Sequence, residues 1–416
     1  MLWFRRKPSS NGKIYSAVDV GTTKVCTLIG SMEDDDYLRI LGVGISRSKG
    51  MRKAVVIDLK EVGKSVRDSV KKAEADSGLR LTPAYIGITG GHVSSFNTRS
   101  TLAVPEGREV QTKELKRLVG HVNDMRMSRE RELVHALPQM YRLDGQTGIK
   151  NPVGMHGLNL DADVHMVTVA ADAVKNLVKS VRKAGVIPED IVLEPLASGE
   201  AVLRPVEKDV GVVVVDIGGG TTDIAVYKNG NILHTAAIPV AGYQLTHDLA
   251  VGLNIAFETA EEFKLNHASL NSKAPVYPAS EIPLRARDGQ AVPYHKAMEI
   301  LSARVEELLK LIWVELSGED LSKLAPAGVV LTGGTSKLPG IAEMAREVFN
   351  VPCRVGVPRN ISGMVQHLHD PAFATSVGLL FWGVKYAKQE LKKHHNPSPL
   401  MRLWLGVTRR WRGTVW

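Results

Sequence analysis

The sequence predicts a two-domain α/β protein in which two related halves face each other, each built on a strand that ends in an Asp-Gly turn. Three observations predict it. An apolar strand ends in Asp19-Val20-Gly21-Thr22-Thr23, and a second ends in Asp216-Ile217-Gly218-Gly219-Gly220-Thr221-Thr222-Asp223. Similar chemistry returning after about 200 residues is the mark of an internal repeat. A third apolar strand ends in Thr332-Gly333-Gly334-Thr335. The length of 416 residues suits two domains of roughly 150–200 residues each.

The elements follow in order. Residues 14–20 have the β-branched, apolar pattern of a strand, and two further strands are expected around 25–30 and 37–46. The acidic run Glu33-Asp34-Asp35-Asp36 between them reads as a solvated hairpin turn, because a calcium loop needs Gly and a spaced Glu. Residues 58–77 alternate in helical period and stop near Gly78. The stretch 84–165 forms a block of its own: a strand at 85–88, the turn Gly90-Gly91-His92-Val93, a polar helix near 112–127, and a Gly- and Pro-rich passage at 143–152. A strand at 164–170 and a helix at 172–184 restore a βα pattern. Residues 210–217 are continuously apolar, as in a strand buried on both faces, and a partner strand follows at 224–227. Residues 244–266 and 295–317 read as amphipathic helices separated by a Pro-interrupted connection, and 328–331 as a third strand. A His-His-Asn-Pro-Ser-Pro linker at 394–399 precedes a final segment.

Composition narrows the class. With 44% hydrophobic and 23% charged residues the chain reads as soluble and globular. No run of about 18 apolar residues exists to span a bilayer, and the start lacks the apolar stretch of a secretory signal. Cys26 and Cys353 have no Cys or His neighbours in sequence, which speaks against zinc and a disulfide framework and suits a reducing cytoplasm. The net charge of +9 sits at the ends: residues 385–416 carry a net +7 and residues 1–13 a net +4, leaving −2 on the body. A near-neutral body does not suit a protein that grips nucleic acid across its surface.

Each Asp-Gly turn supplies what a phosphate needs: glycines for close backbone approach, successive N–H donors, and Thr hydroxyls. The carboxylates of Asp19 and Asp216 would be repelled by phosphate and instead suit Mg2+, held through water across a cleft between the domains. No Gly-x-x-x-x-Gly-Lys-Ser/Thr loop is present, and Gly218-Gly219-Gly220 lacks the spacing and following helix of a dinucleotide fingerprint. The expected ligand is ATP with Mg2+.

The order of Asp19–Thr23, Leu193-Glu194-Pro195-Leu196-Ala197-Ser198-Gly199, Asp216–Asp223, Leu331–Gly340 and Ala374-Thr375-Ser376-Val377-Gly378 resembles the actin, sugar-kinase and heat-shock ATPase superfamily. These would be its first phosphate, first connecting, second phosphate, adenosine and second connecting motifs. Within it, residues 14 to about 390 look most similar to the bacterial FtsA family. Val134-His135-Ala136-Leu137-Pro138-Gln139, Leu143-Asp144-Gly145-Gln146 and Pro152-Val153-Gly154-Met155 carry the most specific part, resembling the extra subdomain of that family; Gly50-Met51 to Asp58 also fits. The resemblance implies an actin-like two-domain fold with the nucleotide in the interdomain cleft. It assigns residues 13–83, 166–205 and 375–393 to subdomain IA, 84–165 to the FtsA-type subdomain IC, 206–243 and 327–374 to IIA, and 244–326 to IIB. It also implies that Gly21, Thr22, Thr23, Gly218, Gly219, Gly220 and Thr221 bind phosphate, and that Glu194 orients the attacking water, with slow turnover. Glu261 and Lys264, on one helix face by their spacing, would lie near ribose and adenine, and Gly333, Gly334 and Ser336 would border the adenine. Lys24 is either a phosphate lysine or a solvent-facing strand charge. His135, in the extra block, is expected to pack or to contact a partner.

Residues 400–416, placed on a helix at about 100° per residue, divide sharply. Leu400, Leu403, Trp404, Val407 and Trp411 share one face, while Arg402, Arg409, Arg410 and Arg412 lie on the other. Such a helix suits the headgroup region of an anionic membrane, where each basic residue adds about 1 kcal/mol. Gly406 and Gly413 each weaken intrinsic helicity by roughly 1 kcal/mol, so folding on lipid is expected. The FtsA-like pattern ends in such a membrane-targeting helix, preceded here by the linker at 394–399. Leu2-Trp3-Phe4-Arg5-Arg6-Lys7 has similar composition and is a candidate second lipid contact.

The expected function is a cell-division adaptor that binds ATP, polymerises like actin, tethers the FtsZ ring to the cytoplasmic face of the membrane at the septum, and recruits later division proteins. By resemblance, the FtsZ C-terminal tail would bind around 245–325, with Arg285, Arg287 and Arg304 facing its acidic residues. The alternatives are a PilM-like pilus-assembly scaffold and a sugar kinase of the same superfamily; a chaperone would need a substrate domain after residue 390.

Overall fold

The computed structural model describes residues 13–34, 37–123, 128–271, 284, 286, 291–316 and 320–391. The expected linker at 394–399, the amphipathic segment at 400–416, the Leu2–Lys7 segment, Arg285 and Arg287 lie outside the described residues.

The chain starts with a meander of β1 (Ile14–Val20), β2 (Lys24–Asp34) and β3 (Tyr37–Arg47), each antiparallel to the next. A two-stranded ribbon of β4 (Met51–Arg52) and β5 (Val55–Val56) leads to α1 (Leu59–Ser77). The Asp58 carboxylate caps this helix by accepting from Lys60 N at 2.8 Å and Glu61 N at 3.1 Å, and Gly78 at φ 71° ends it. β6 (Ala84–Ile88) then joins β1 in parallel.

The block that follows is a four-stranded antiparallel sheet of β7 (Ser94–Ala103), β8 (Arg131–Leu143), β9 (Gln146–Ile149) and β10 (Asn159–Ala170), in the order β7-β10-β8-β9. α2 (Thr112–Asn123) closes its core around Leu118, Leu160 and Met166. The Gly- and Pro-rich passage at 143–152 contains a hairpin. Asp144 and Gly145 both have positive φ, 48° and 83°, which makes the tight turn between β8 and β9.

β10 runs directly into α3 (Ala171–Lys183), followed by β11 (Pro188–Leu193), α4 (Glu194–Val202) and α5 (Pro205–Val210). Val210 therefore closes a helix, and the central strand of the second half begins at Val212. Gly211 makes the change of direction at φ 121°, where a side chain would strike the Leu324 carbonyl. The second sheet combines β12 (Val212–Ile217), β13 (Thr222–Lys228) and β14 (Asn231–Ile238) with two later strands. The stretch 244–266 is two helices, α6 (Gly242–Gly252) and α7 (Phe257–Asn266), because Asn254 turns left-handed at φ 51°. α8 (Tyr294–Leu316) and α9 (Leu321–Leu324) precede β15 (Val329–Thr332), α10 (Ile341–Phe349), β16 (Cys353–Val355), β17 (Ile361–Gly363) and α11 (Ala374–Leu391).

The first large sheet has the order β11-β6-β1-β2-β3-β17 and the second β14-β13-β12-β15-β16. α4 and α11 lie between them. Leu196, Val202, Val377 and Leu380 share one cluster with Ala17 and Leu28 of the first sheet and Val212, Val214 and Val330 of the second. Every residue of β12 is buried, and its faces alternate: Val212 and Val214 pack towards these helices, Val213, Val215 and Ile217 into the other core. The two helices meet closely at Gly378, where a Cβ would run into the Ala197 carbonyl. This packing brings the C-terminal ends of β1 and β12, with their two Asp-Gly turns, to the same gap.

The inserted sheet bridges the halves. Ser95 Oγ donates to Thr235 O at 2.7 Å, and Gln139 Nε2 to the carbonyls of Ile232 and Leu233 at 2.9 Å, all on β14. Arg304 is already engaged by Asp248 and, at 2.7 Å, by Glu307. No helix among the described residues is long and apolar enough to cross a membrane.

Candidate functional site

Both turns are held by their own backbone: Gly21 N donates to Lys24 O at 3.0 Å, and Gly218 N to Thr221 O at 2.9 Å. They face each other at contact distance. A Cβ on Gly219 would meet the Thr23 side chain, and one on Gly220 would meet the Thr22 hydroxyl, with Lys53 Cα 3.1 Å away. Gly21, Thr22 and Thr23 from the first half and Gly218, Gly219, Gly220 and Thr221 from the second therefore form one cradle, although about 200 residues separate them.

Four carboxylates converge behind that cradle. Asp19 Oδ2 accepts from Ser376 Oγ at 2.6 Å. Asp216 Oδ2 accepts from Thr375 Oγ1 at 2.8 Å and from Ser198 Oγ. Asp223 accepts from Thr221 Oγ1 at 3.1 Å and from Thr89 Oγ1. Glu194, the first residue of α4, lines a narrow pocket with Val20, Gly87, Thr89 and His92. Gly87 is tight against it: a Cβ there would stand 3.2 Å from Glu194 Cγ.

Burial raises all four above the ordinary carboxylate range. For Asp19 it outweighs Lys24 and the Ser376 hydrogen bond, and for Asp216 it outweighs the hydroxyls of Ser198 and Thr375. Asp223 is pushed up to about 7 by burial, reinforced by Asp216. Glu194 rises well above its usual value through burial, then through repulsion from Asp19, Asp223 and Asp216. Lys24 offsets part of this charge. Its ammonium donates to the Ala372 carbonyl and lies 4.9 Å from the Phe373 ring centroid, so it points inward rather than to solvent.

Among the described residues no three His, Cys, Asp or Glu side chains stand close enough to hold a metal ion directly. Buried carboxylates in excess of cations, with glycine turns beside them, nevertheless fit a hydrated Mg2+ that reaches the protein through water, because magnesium keeps much of its hydration shell.

The third turn and the Glu-x-x-Lys helix meet the second loop at Gly218. Its carbonyl accepts from Gly242 N at 3.1 Å and from Thr335 Oγ1 at 2.8 Å. Lys264 Nζ donates to Gly242 O at 3.0 Å and pairs with Glu261 at 2.7 Å. Gly333 has φ 84° and lies so close to Asp216 and the Ile217 carbonyl that no side chain fits. Gly334 follows it in a short 3₁₀ turn, and the buried Ser336 hydroxyl closes that turn on Gly333 O at 2.7 Å.

The sequence reading passed over Thr89, Ser198, Asp223, Thr375 and Ser376. All but Thr89 lie inside motifs quoted for the resemblance, so the signal was the motif itself; the hydroxyls hold the Asp oxygens. His135, in the inserted block, packs beside the site: its Nε2 accepts from the backbone N–H of Leu193, next to Glu194, at 3.0 Å.

Comparison with known proteins bears on the fold and the family. The family model for cell division protein FtsA matches residues 213–378, and that for the SHS2 domain inserted in FTSA matches residues 90–168, the four-stranded block. Cell division protein FtsA of Pseudomonas aeruginosa is 38% identical over 377 residues, covering 90% of each chain. Among solved structures, the PilM-PilN type IV pilus biogenesis complex superposes with a TM-score of 0.66 at 16% identity, covering 89% of this chain and 98% of that one. MreB5 of Spiroplasma citri bound to ADP superposes with a TM-score of 0.53 at 15% identity, covering 92% and 99%. The fold is the mixed α/β actin-like one, with the SHS2 block inserted.

Proposed function

The chain belongs to the FtsA family of cell division proteins, and from that premise we propose that it is an ATP-binding, membrane-tethered adaptor of the division machinery. The observation that carries the reading is the meeting of the three glycine turns and the Lys264 helix at residues 218–220, with three buried aspartates and the half-buried Glu194 behind them. MreB5 of Spiroplasma citri, which shares the fold, is bound to ADP, and this supports it.

In this reading the backbone N–H groups of Gly21–Thr23 and Gly218–Thr221 hold the phosphates, and Asp19 and Asp216 hold Mg2+ through water. Lys24 lies beside both carboxylates and neutralises part of their charge. Glu261, Lys264, Gly333, Gly334 and Ser336 shape the adenosine end, Ser336 by fixing the turn. Bound Mg-ATP supplies a phosphoanhydride that water can cleave. Glu194 would accept a hydrogen bond from that water and align it; burial and the neighbouring aspartates favour its neutral form, and a cation beside it would favour the ionised one. In this reading turnover is slow, and the nucleotide acts as the control on assembly.

Assembly places the chain at the septum, on the cytoplasmic face of the membrane. There it polymerises with copies of itself, holds the FtsZ C-terminal tail and recruits later division proteins. Residues 400–416 supply the lipid contact: Leu400, Leu403, Trp404, Val407 and Trp411 enter the interface while Arg402, Arg409, Arg410 and Arg412 face anionic headgroups. A pilus-assembly scaffold shares the fold, but the amphipathic terminus and the 38% identity favour the division adaptor.

The test is co-sedimentation with anionic liposomes in Mg-ATP, with the full chain and a chain lacking residues 398–416. Pelleting of the full chain and loss of pelleting on truncation are expected. Equal binding by both chains removes the tether from the reading.

A further inference from the structure

The edge of the first sheet poses a satisfaction problem. β11 is the edge strand, paired on one side only with β6, and its last residue, Leu193, is also the N-cap of the helix that carries Glu194. Leu193 is an apolar cap with no side-chain hydrogen bond to offer. Leu193 is buried, and a buried backbone N–H left without an acceptor is destabilising.

The acceptor comes from the inserted subdomain. His135 on β8 is 5% exposed, and its Nε2 takes the Leu193 N–H at 3.0 Å. This requires an imidazole unprotonated at Nε2: burial keeps the ring neutral, pushing its pKa down to about 3, and the Leu193 N–H selects the tautomer with its proton on Nδ1. The Trp382 ring of α11 stands edge-on at 5.4 Å between centroids and fixes the plane of the imidazole. The same strand reaches the Glu194 pocket a second time: Arg131 Nη1 donates to the carbonyl of His92, a residue of the pocket wall, at 3.0 Å.

We propose that His135 is the positioning residue for Glu194, so that the inserted subdomain sets the turnover of a nucleotide site to which it contributes no ligand. The inference rests on the reading of Glu194 as the water-aligning residue. His135 fixes the peptide from which α4 departs, and α4 carries Glu194 in its first turn. The subdomain also rests on β14 of the second half through Ser95, Gln139 and His165, the last 2.9 Å from Thr235 Oγ1. A partner that shifts the inserted sheet would therefore move both halves against the cleft and Glu194 with them.

The experiment uses the full chain in four forms: wild type, His135→Leu, His135→Gln and Glu194→Gln, with the His135→Leu/Glu194→Gln double variant. Without nucleotide, deuterium uptake over residues 190–196 should quicken in His135→Leu and return towards wild type in His135→Gln, whose amide oxygen restores the acceptor. With Mg-ATP, His135→Leu should lower kcat by about 10-fold or more, since a shift of about 1 Å at an aligning group has effects of that order. Its affinity for a fluorescent ATP analogue should stay within about two-fold, which also reports a folded chain; the double variant should be no slower than Glu194→Gln. If His135→Leu does not fold, His135→Asn, whose oxygen falls short of Leu193, replaces it. Unchanged exchange and kcat in the His135 variant, or losses that multiply in the double variant, overturn the proposal while leaving the role of Glu194 intact. Full turnover in Glu194→Gln overturns that role and this proposal together.

Discussion

Replacing Asp223 by Asn should make the nucleotide-free protein more stable at alkaline pH, and the reason is a proton. Asp223 is 2% exposed, and burial beside Asp216 pushes its pKa up to about 7, whereas an unfolded aspartate titrates near 3.9. With the folded value above the unfolded one, the folded chain keeps a proton that the unfolded chain has released. The native state is favoured fully below about pH 4 and loses stability as pH rises to about 7, with no further loss above. A gap of about three pH units corresponds to about 4 kcal/mol at pH 8 and about 1.5 kcal/mol at pH 5. Asn cannot ionise; its single oxygen can replace Oδ1 and accept from Thr89, while its NH2 stands where Oδ2 did and donates to the Thr221 hydroxyl, which turns to accept. Urea unfolding at pH 5 and pH 8, without nucleotide, measures the effect by linear extrapolation. The advantage of Asp223→Asn over wild type should widen by about 2–3 kcal/mol between the two pH values. Parallel behaviour of the two proteins, or a variant less stable at pH 8, refutes the reasoning.

Three further outcomes follow from the same geometry. Binding of Mg-ATP at pH 6.5 should release protons, because Asp19, Glu194, Asp216 and Asp223 are raised by burial and a cation favours their ionised forms. Calorimetric enthalpies in two buffers of different ionisation heat detect this, and net proton uptake or none contradicts it. Gly219→Val drives a side chain into Thr23 and should separate the two turns. Affinity for ATP is expected to fall by at least about 10-fold, an energy of about 1.4 kcal/mol, with a smaller change in urea midpoint. Gly378→Ala places a methyl on the Ala197 carbonyl between α4 and α11, and overpacking of that kind costs about 1–3 kcal/mol or more, measurable as a lowered unfolding midpoint.

Much of the architecture was legible because it is local. The strand at 14–20, the helix ended by Gly78 and the apolar strand entering Gly218 follow from β-branching, a left-handed glycine and burial on both faces. Two local signals were misread. Asn254 divides a stretch whose apolar period runs through it, because hydrophobic spacing does not register a single left-handed residue. Val210 looked like strand because it is apolar, but Pro205 and the capping Glu207 start a helix before it.

For the site, the sequence by itself determined which residues are candidates: Asp19, Asp216 and the glycines have residue types suited to a hydrated cation or a phosphate, and the resemblance adds Glu194 ahead of Pro195. Tertiary structure alone decided what those residues feel. Only packing puts the hydroxyls of Ser198, Thr375 and Ser376 on the two aspartates, turns Lys24 inward over Phe373, and lets His135 of the inserted sheet meet the peptide beside Glu194. The physical reason is that hydrogen bonding and burial depend on distance between elements remote in the chain, about which residue identity and spacing carry no information. The two Asp-Gly turns could be read as a pair, but their contact rests on α4 and α11 holding two sheets together at Gly378.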